Sequence, residues 1–185
     1  MNILGVLAAL SASAAAGMRI GLPLLIVGLL HSNLWSGLPI LSLLHPRIWL
    51  AILISWSLFE LFGSKKLLGQ RVIQIVQLLL SPFVGALMSW TAAKVIDLDF
   101  QPLWILAVVG GLLAFVLKLV QVGWFFRLRG LPIWAVILED VLCVCLVLLA
   151  FKAPEHGGLI ALLLLWLAIR SSSEWRDLYP GKRSK

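Results

Sequence analysis

The chain has 185 residues, of which 62% are hydrophobic and 12% charged, whereas about 25% of the residues in a typical soluble domain are charged. A chain of this size cannot hide so much apolar surface from water. The composition therefore excludes a soluble enzyme, a soluble nucleic-acid-binding domain and a disordered chain. We interpret the net charge of +7 as cations that orient the chain in a bilayer and contact anionic lipid, with no nucleic acid partner.

Six apolar runs predict an all-α polytopic membrane helix bundle with about six transmembrane helices, because a span needs roughly 20 mostly apolar residues. In chain order the runs cover about 3–30, 47–62, 67–93, 102–126, 131–151 and 156–169. We expect the first helix to be broken at 17–23, where Gly17, Gly21 and Pro23 interrupt the run. Pro82 predicts a hinge in the third run, and 31–45 is expected to lie at the interface or to re-enter the membrane.

The cations predict which side of the membrane each segment faces. With both termini in the cytoplasm, ten Lys and Arg lie on the cytoplasmic side and three on the opposite side. We expect a single transmembrane domain at 1–170 and a basic cytoplasmic tail at 171–185, in a bacterial inner membrane or an internal membrane such as a thylakoid. No Lys or Arg precedes the first apolar run, so we expect the N-terminal segment to be retained and not cleaved as a signal peptide.

A short repeat predicts internal symmetry. The tetrapeptide at Gly37–Ile40 recurs at Gly130–Ile133 with an offset of 93 residues, about half of the chain. Each half would hold three spans, and an odd number of spans places the two halves in opposite orientations, as in many transporters. We therefore expect a three-plus-three inverted repeat.

Charged residues at membrane depth carry most of the functional signal, because each costs roughly 2.5–3.5 kcal/mol to insert. They are Arg19, Glu60, Lys118, Glu139 and Asp140. Glu139 and Asp140 are adjacent, so they point about 100° apart on a helix and serve two faces. Two readings stay open: an ion or proton site, or structural contacts to Arg19 and Lys118.

Two further features are polar. Gln70, Gln74, Gln77 and Ser81 share one helical face, which predicts that they face the bundle interior, either along an aqueous path or as hydrogen bonds between helices. The break near Arg19 would expose helix N–H groups that can receive an anion. The alternative is a kinked helix with Arg19 paired to a carboxylate.

Three blocks of residues resemble a known family. They are Ala16–Leu25, then Phe59–Phe62 with Ser81–Leu87, and then Gly110-Gly111 followed by Leu138–Val141. In order and spacing these blocks resemble the bacterial membrane proteins grouped as domain of unknown function 4126, over about residues 10–154. The resemblance implies a multi-span membrane protein and no particular activity. Such proteins tend to carry a small polar residue or a histidine after the paired glycines, where this chain has Lys118.

Together these features predict a small channel or carrier for an ion or small polar solute. Its pathway would be formed by Arg19, Glu60, Gln70, Gln74, Gln77, Lys118, Glu139 and Asp140. The alternative is a non-catalytic accessory or assembly subunit of a larger membrane complex that binds lipid or pigment. We expect no enzyme activity, cofactor or metal, because no nucleophile–base or metal-ligand set is visible. The expected partners are membrane lipids and either further copies of the chain or a larger complex.

Overall fold

The computed structural model describes residues 3–30, 46–63, 67–96, 103–128 and 132–178. These residues form seven α-helices and no strand. The helices are α1 (Ile3–Met18), α2 (Gly21–Leu30), α3 (Pro46–Gly63), α4 (Leu67–Val95), α5 (Leu103–Leu128), α6 (Ile133–Lys152) and α7 (Pro154–Leu178).

The helix pattern confirms the all-helical membrane bundle and the broken first helix. The six predicted runs correspond to seven helices because the first run divides: α1 ends at Met18 and α2 begins at Gly21. Three helices in the described part of the chain are long and apolar enough to cross a membrane, at Arg71–Val95, Leu103–Arg127 and Trp134–Lys152. At about 1.5 Å per residue, α1 is about 24 Å long, which is less than the roughly 30 Å hydrocarbon core.

Parts of the sequence predictions fall outside the described residues. They are the interfacial segment at 31–45, with the tetrapeptide Gly37–Ile40 inside it, Gly130 and Leu131 of the second tetrapeptide, and the last seven residues at 179–185. In the described part, α7 continues to Leu178, eight residues beyond the predicted end of the transmembrane domain at residue 170. Helix α4 continues through Pro82.

Helix α1 lies at the centre of the bundle and packs against four others, α4, α5, α6 and α7. Its sequence is suited to this position because most of its buried side chains are small. The residues at most 1% exposed include Ala8, Ala9, Ala12, Ala14, Ala15, Ala16, Ser11 and Ser13. Small residues let helix backbones approach closely, and in a bilayer such close packing is a main source of helix association.

Serine hydroxyls join these closely packed helices. Ser11 Oγ on α1 donates to the Leu146 carbonyl on α6 at 2.8 Å, and Ser13 Oγ is 3.1 Å from the Gly85 carbonyl on α4. Ser89 Oγ on α4 donates to the Leu106 carbonyl on α5 at 2.8 Å. Because each hydroxyl is buried and bonded to a neighbouring backbone, these bonds set the positions of the helices along one another.

The paired glycines of α5 lie where α5 meets α1 and α4. A Cβ at Gly110 would overlap Ser13 Oγ, and a Cβ at Gly111 would lie 2.6 Å from the Pro82 carbonyl oxygen. The second contact is with backbone, which cannot rotate away as a side chain can. The paired glycines therefore let α5 approach α1 and α4 closely.

Replacing Gly111 by Leu is expected to lower stability by about 1–3 kcal/mol or more, because the new side chain overlaps the α4 backbone. The free energy of unfolding is measured by SDS titration of the purified protein in mixed micelles. The matched control is Ala51→Leu, which adds the same kind of bulk on the exposed face of α3. Equal stability of the two variants would contradict the close contact between α4 and α5.

Candidate functional site

The five charged residues predicted at membrane depth come together around the break in the first helix. Arg19 and Ile20 link α1 to α2, and the other members are Glu60 on α3, Lys118 on α5, and Glu139 and Asp140 on α6. We call these five residues the charge cluster. Arg19, Glu60 and Lys118 are at most 4% exposed, so the cluster lies inside the bundle.

Arg19 binds both neighbouring carboxylates of α6. Its Nε atom is 2.7 Å from Asp140 Oδ1 and 3.8 Å from Glu139 Oε1. Adjacent residues of a helix point in different directions, yet both carboxylates reach the same guanidinium because Arg19 lies beside α6 at the helix break. The sequence left two interpretations of the helix break open: an anion site, or Arg19 paired with a carboxylate. The distances show Arg19 paired with carboxylates.

Lys118 caps the end of α1. Its ammonium donates to the Met18 carbonyl at 3.0 Å and to Gln121 Oε1 at 3.1 Å, and it is 3.9 Å from Glu139 Oε1. Met18 is the last residue of α1, and the carbonyls at the C-terminal end of a helix have no N–H partners within that helix. A cation is favourable there because the C-terminal end of a helix carries partial negative charge.

Glu60 caps the start of α2. One carboxylate oxygen accepts from the Gly21 backbone N–H at 3.2 Å. The other accepts from Trp56 Nε1 at 2.8 Å and Gln77 Nε2 at 2.9 Å. The break was expected to offer helix N–H groups to an anion, and in the structure the chain's own carboxylate from α3 takes that place.

The polar face predicted for the third run lies on α4 and is turned toward the bundle interior. Gln74, Gln77 and Ser81 are buried, and Ser81 Oγ donates to the Leu78 carbonyl within the same helix at 3.2 Å. Gln77 joins α4 to α3 through Glu60, whereas Gln74 Oε1 has no hydrogen-bond partner among the described residues. The side chain of Gln70 lies outside the described residues.

The charge cluster has an excess of acidic groups. It contains two cations and three carboxylates, hence a formal charge of −1 when all are ionised. Within the described residues, no group of three or more His, Cys, Asp or Glu side chains is placed to hold a metal ion. The arrangement can therefore hold a proton or a single positive charge, and it lacks the ligand set of a metal centre.

One side of the charge cluster borders a groove. The groove has a volume of about 610 Å³, is lined mostly by apolar side chains of α5, α6 and α7, and includes Glu139 in its wall. At its rim Trp124 Nε1 on α5 donates to Ser171 Oγ on α7 at 2.9 Å. Arg170, also in the lining, lies 5.3 Å over the Trp166 ring. We call this space the α5–α7 groove.

Several residues of the site were not anticipated from the sequence. Trp56 binds Glu60, and Gln121 binds Lys118. Trp124 and Ser171 form a hydrogen bond at the rim of the groove. A signal was present for the first two, because they lie four and three residues from their charged partners, the spacing at which helical side chains meet. The contact between Trp124 and Ser171 joins two helices and has no such signal.

The comparisons with known proteins identify a family and no activity. No curated protein and no solved structure matched the chain. A family model described as "Domain of unknown function (DUF4126)" matches residues 6–174, which is nearly the whole chain. The match covers α4, α5 and α6, which are the three helices in the described part of the chain long and apolar enough to cross a membrane, together with all five residues of the charge cluster. The chain is therefore a helical membrane protein that belongs to the DUF4126 family.

Proposed function

We propose that this protein is a small channel or carrier for an ion or small polar solute. The observation that carries the proposal is the charge cluster at the broken helix, with Glu139 open to the α5–α7 groove. Charged residues at membrane depth are costly and commonly mark ion or substrate pathways. Broken helices in transporters place their free ends at such sites.

The partners of the two helix ends support this proposal. Lys118 is bound to the end of α1 and Glu60 to the start of α2, so both ends hold side chains that a solute or proton can compete for. The formal charge of −1 favours a positively charged solute, because an uncompensated charge in a medium of low dielectric is unfavourable. Glu139 connects the cluster to the groove and is the residue to test.

Solute flux across vesicles tests the proposal. Wild-type protein reconstituted into liposomes is expected to pass at least one member of a panel of protons, alkali cations, organic cations and small neutral solutes. The Glu139→Gln variant is expected to lose about tenfold or more of that flux, because one buried charge interaction is worth more than the 1.4 kcal/mol that a factor of ten requires.

The control for this experiment is Glu155→Gln, the same substitution at an exposed carboxylate at the start of α7. Its flux should equal that of the wild type. The proposal fails if wild type and Glu139→Gln both pass nothing across the panel, or if the two proteins pass the same solute at the same rate.

A second candidate function is a non-catalytic accessory or assembly subunit of a larger membrane complex, with lipid or pigment in its groove. Arg19, Glu60 and Lys118 are each at most 4% exposed. Their burial favours this candidate, because buried charges that are paired with one another act as structural contacts. Purification in a gentle detergent should then recover stable partner proteins. Recovery of this chain alone would count against a subunit role.

The proposal includes a location and an orientation. We place the protein in a bacterial cell membrane or an internal membrane such as a thylakoid, with both termini in the cytoplasm. The ten-to-three distribution of Lys and Arg supports this orientation. The same proposal includes a three-plus-three inverted repeat, membrane lipids as partners, and either a homo-oligomer or a larger complex. It includes no enzyme activity.

A further inference from the structure

We propose that the α5–α7 groove binds a primary alkylammonium, that is, a hydrocarbon chain carrying one protonated amine, with the amine on Glu139 and the chain along the apolar wall. This inference rests on the proposed function for the role of the solute, and it adds the solute's chemical class. Binding in the groove is measured without any transport.

The Glu139 carboxylate has ion-pair partners but accepts no hydrogen bond from the described residues. Its two cationic neighbours, Arg19 Nε and Lys118 Nζ, stay at 3.8 and 3.9 Å, beyond hydrogen-bond length. Among the described residues no hydrogen bond is donated to it, in contrast to Glu60, which accepts three. The Glu139 side chain is only 9% exposed and has two ion-pair partners but no hydrogen bond within this part of the chain, so it can still accept one from an N–H or O–H donor in the groove.

The wall of the groove is mostly hydrocarbon. Leu117, Leu138, Leu142, Leu164 and Leu167 all line the groove, so a hydrocarbon chain is its natural occupant. Among the described residues, Glu139 is the only carboxylate in the lining. An apolar pocket with a few convergent polar groups is a usual form of a small-molecule site.

The charge cluster beside the groove has a formal charge of −1. Arg19 and Lys118 are positive, whereas Asp140, Glu60 and Glu139 are negative. One added positive charge balances the cluster. Arg170, which also lines the groove, lies 5.3 Å over the Trp166 ring and keeps its positive charge, so it is counted apart from the charge cluster.

The test compares octylamine, protonated at neutral pH, with octanol, which has the same chain and a neutral donor. Each is titrated calorimetrically into purified detergent-solubilised protein, with a titration into protein-free detergent subtracted. Octylammonium is expected to bind about tenfold or more tightly than octanol, because a hydrogen bond between two ions is roughly twice as strong as one between neutral groups.

Two variants locate the site. Glu139→Gln should reduce octylammonium affinity about tenfold and bring it close to that of octanol. Ala135→Leu, which adds bulk inside the groove, should weaken both ligands, whereas Ala51→Leu on α3 and Glu155→Gln on α7 should change neither. All variants are first checked for a monodisperse elution peak, and Ala135→Leu keeps the test valid if Glu139→Gln fails to fold.

Equal binding of octanol and octylammonium, or unchanged octylammonium binding in both groove variants, would overturn the inference. Because no membrane flux enters this measurement, it can fail while the flux experiment succeeds with another solute. Conversely, alkylammonium binding without any flux would retain the site and remove the transport proposal.

Discussion

Replacing Arg19 by Gln is expected to destabilise the protein by about 3–5 kcal/mol, the usual cost of removing one partner from a buried ion pair. The Asp140 and Glu139 carboxylates share this guanidinium at 2.7 and 3.8 Å, so the substitution leaves two carboxylates without their common cation. The free energy of unfolding by SDS titration in mixed micelles measures the loss.

Two further variants make the Arg19 result specific. Arg47→Gln removes an exposed arginine from the start of α3 and is expected to change stability by less than about 0.5 kcal/mol. Adding Asp140→Asn to Arg19→Gln should recover part of the loss, because one of the two unpaired charges is removed as well. If Arg19→Gln costs no more than Arg47→Gln, the pairing with α6 does not hold the bundle together.

Replacing Glu60 by Ala is expected to cost about 3 kcal/mol or more, since each buried donor left without an acceptor costs about 1–3 kcal/mol. The three donors are the Gly21 backbone N–H, Trp56 Nε1 and Gln77 Nε2. Glu60→Gln keeps one acceptor oxygen and should fall between wild type and Glu60→Ala. The apparent melting temperature in detergent, followed by size-exclusion chromatography, ranks the three proteins.

The control for Glu60 is Glu155→Ala, because Glu155 is exposed at the start of α7. Its melting temperature should match that of the wild type. A Glu60→Ala protein as stable as Glu155→Ala would show that the start of α2 does not depend on a carboxylate from α3.

The observed helices follow closely from the pattern of apolar runs. The predicted break at 17–23 contains the end of α1 and the start of α2, and the predicted fourth and fifth spans correspond to α5 and α6 with ends within two residues. These features are local: apolar length sets a span and glycine with proline interrupts it. The end of the last helix was harder to place, because polar residues follow Ile169 and α7 continues to Leu178.

The charged residues illustrate the limit of local reasoning. Their cost in a bilayer identified Arg19, Lys118, Glu139 and Asp140 as residues that need partners. Which residue is paired with which depends on how the helices are arranged, and this information is absent from spacing along the chain. Glu60 was predicted only as a charged residue at membrane depth, and its role at the start of α2 is visible only once α3 is placed beside that helix.

The sequence by itself determined that this chain is an all-helical membrane protein with a broken first helix and a few charged side chains that must avoid lipid, because composition, apolar run length and helix breakers act within one segment. Only the tertiary structure decided that α1 is the central helix, that Lys118 and Glu60 cap the two ends at the break, and that Glu139 borders a groove. The reason is that small residues, serine hydroxyls and ion pairs act between helices far apart in the chain, where close backbone approach selects one arrangement.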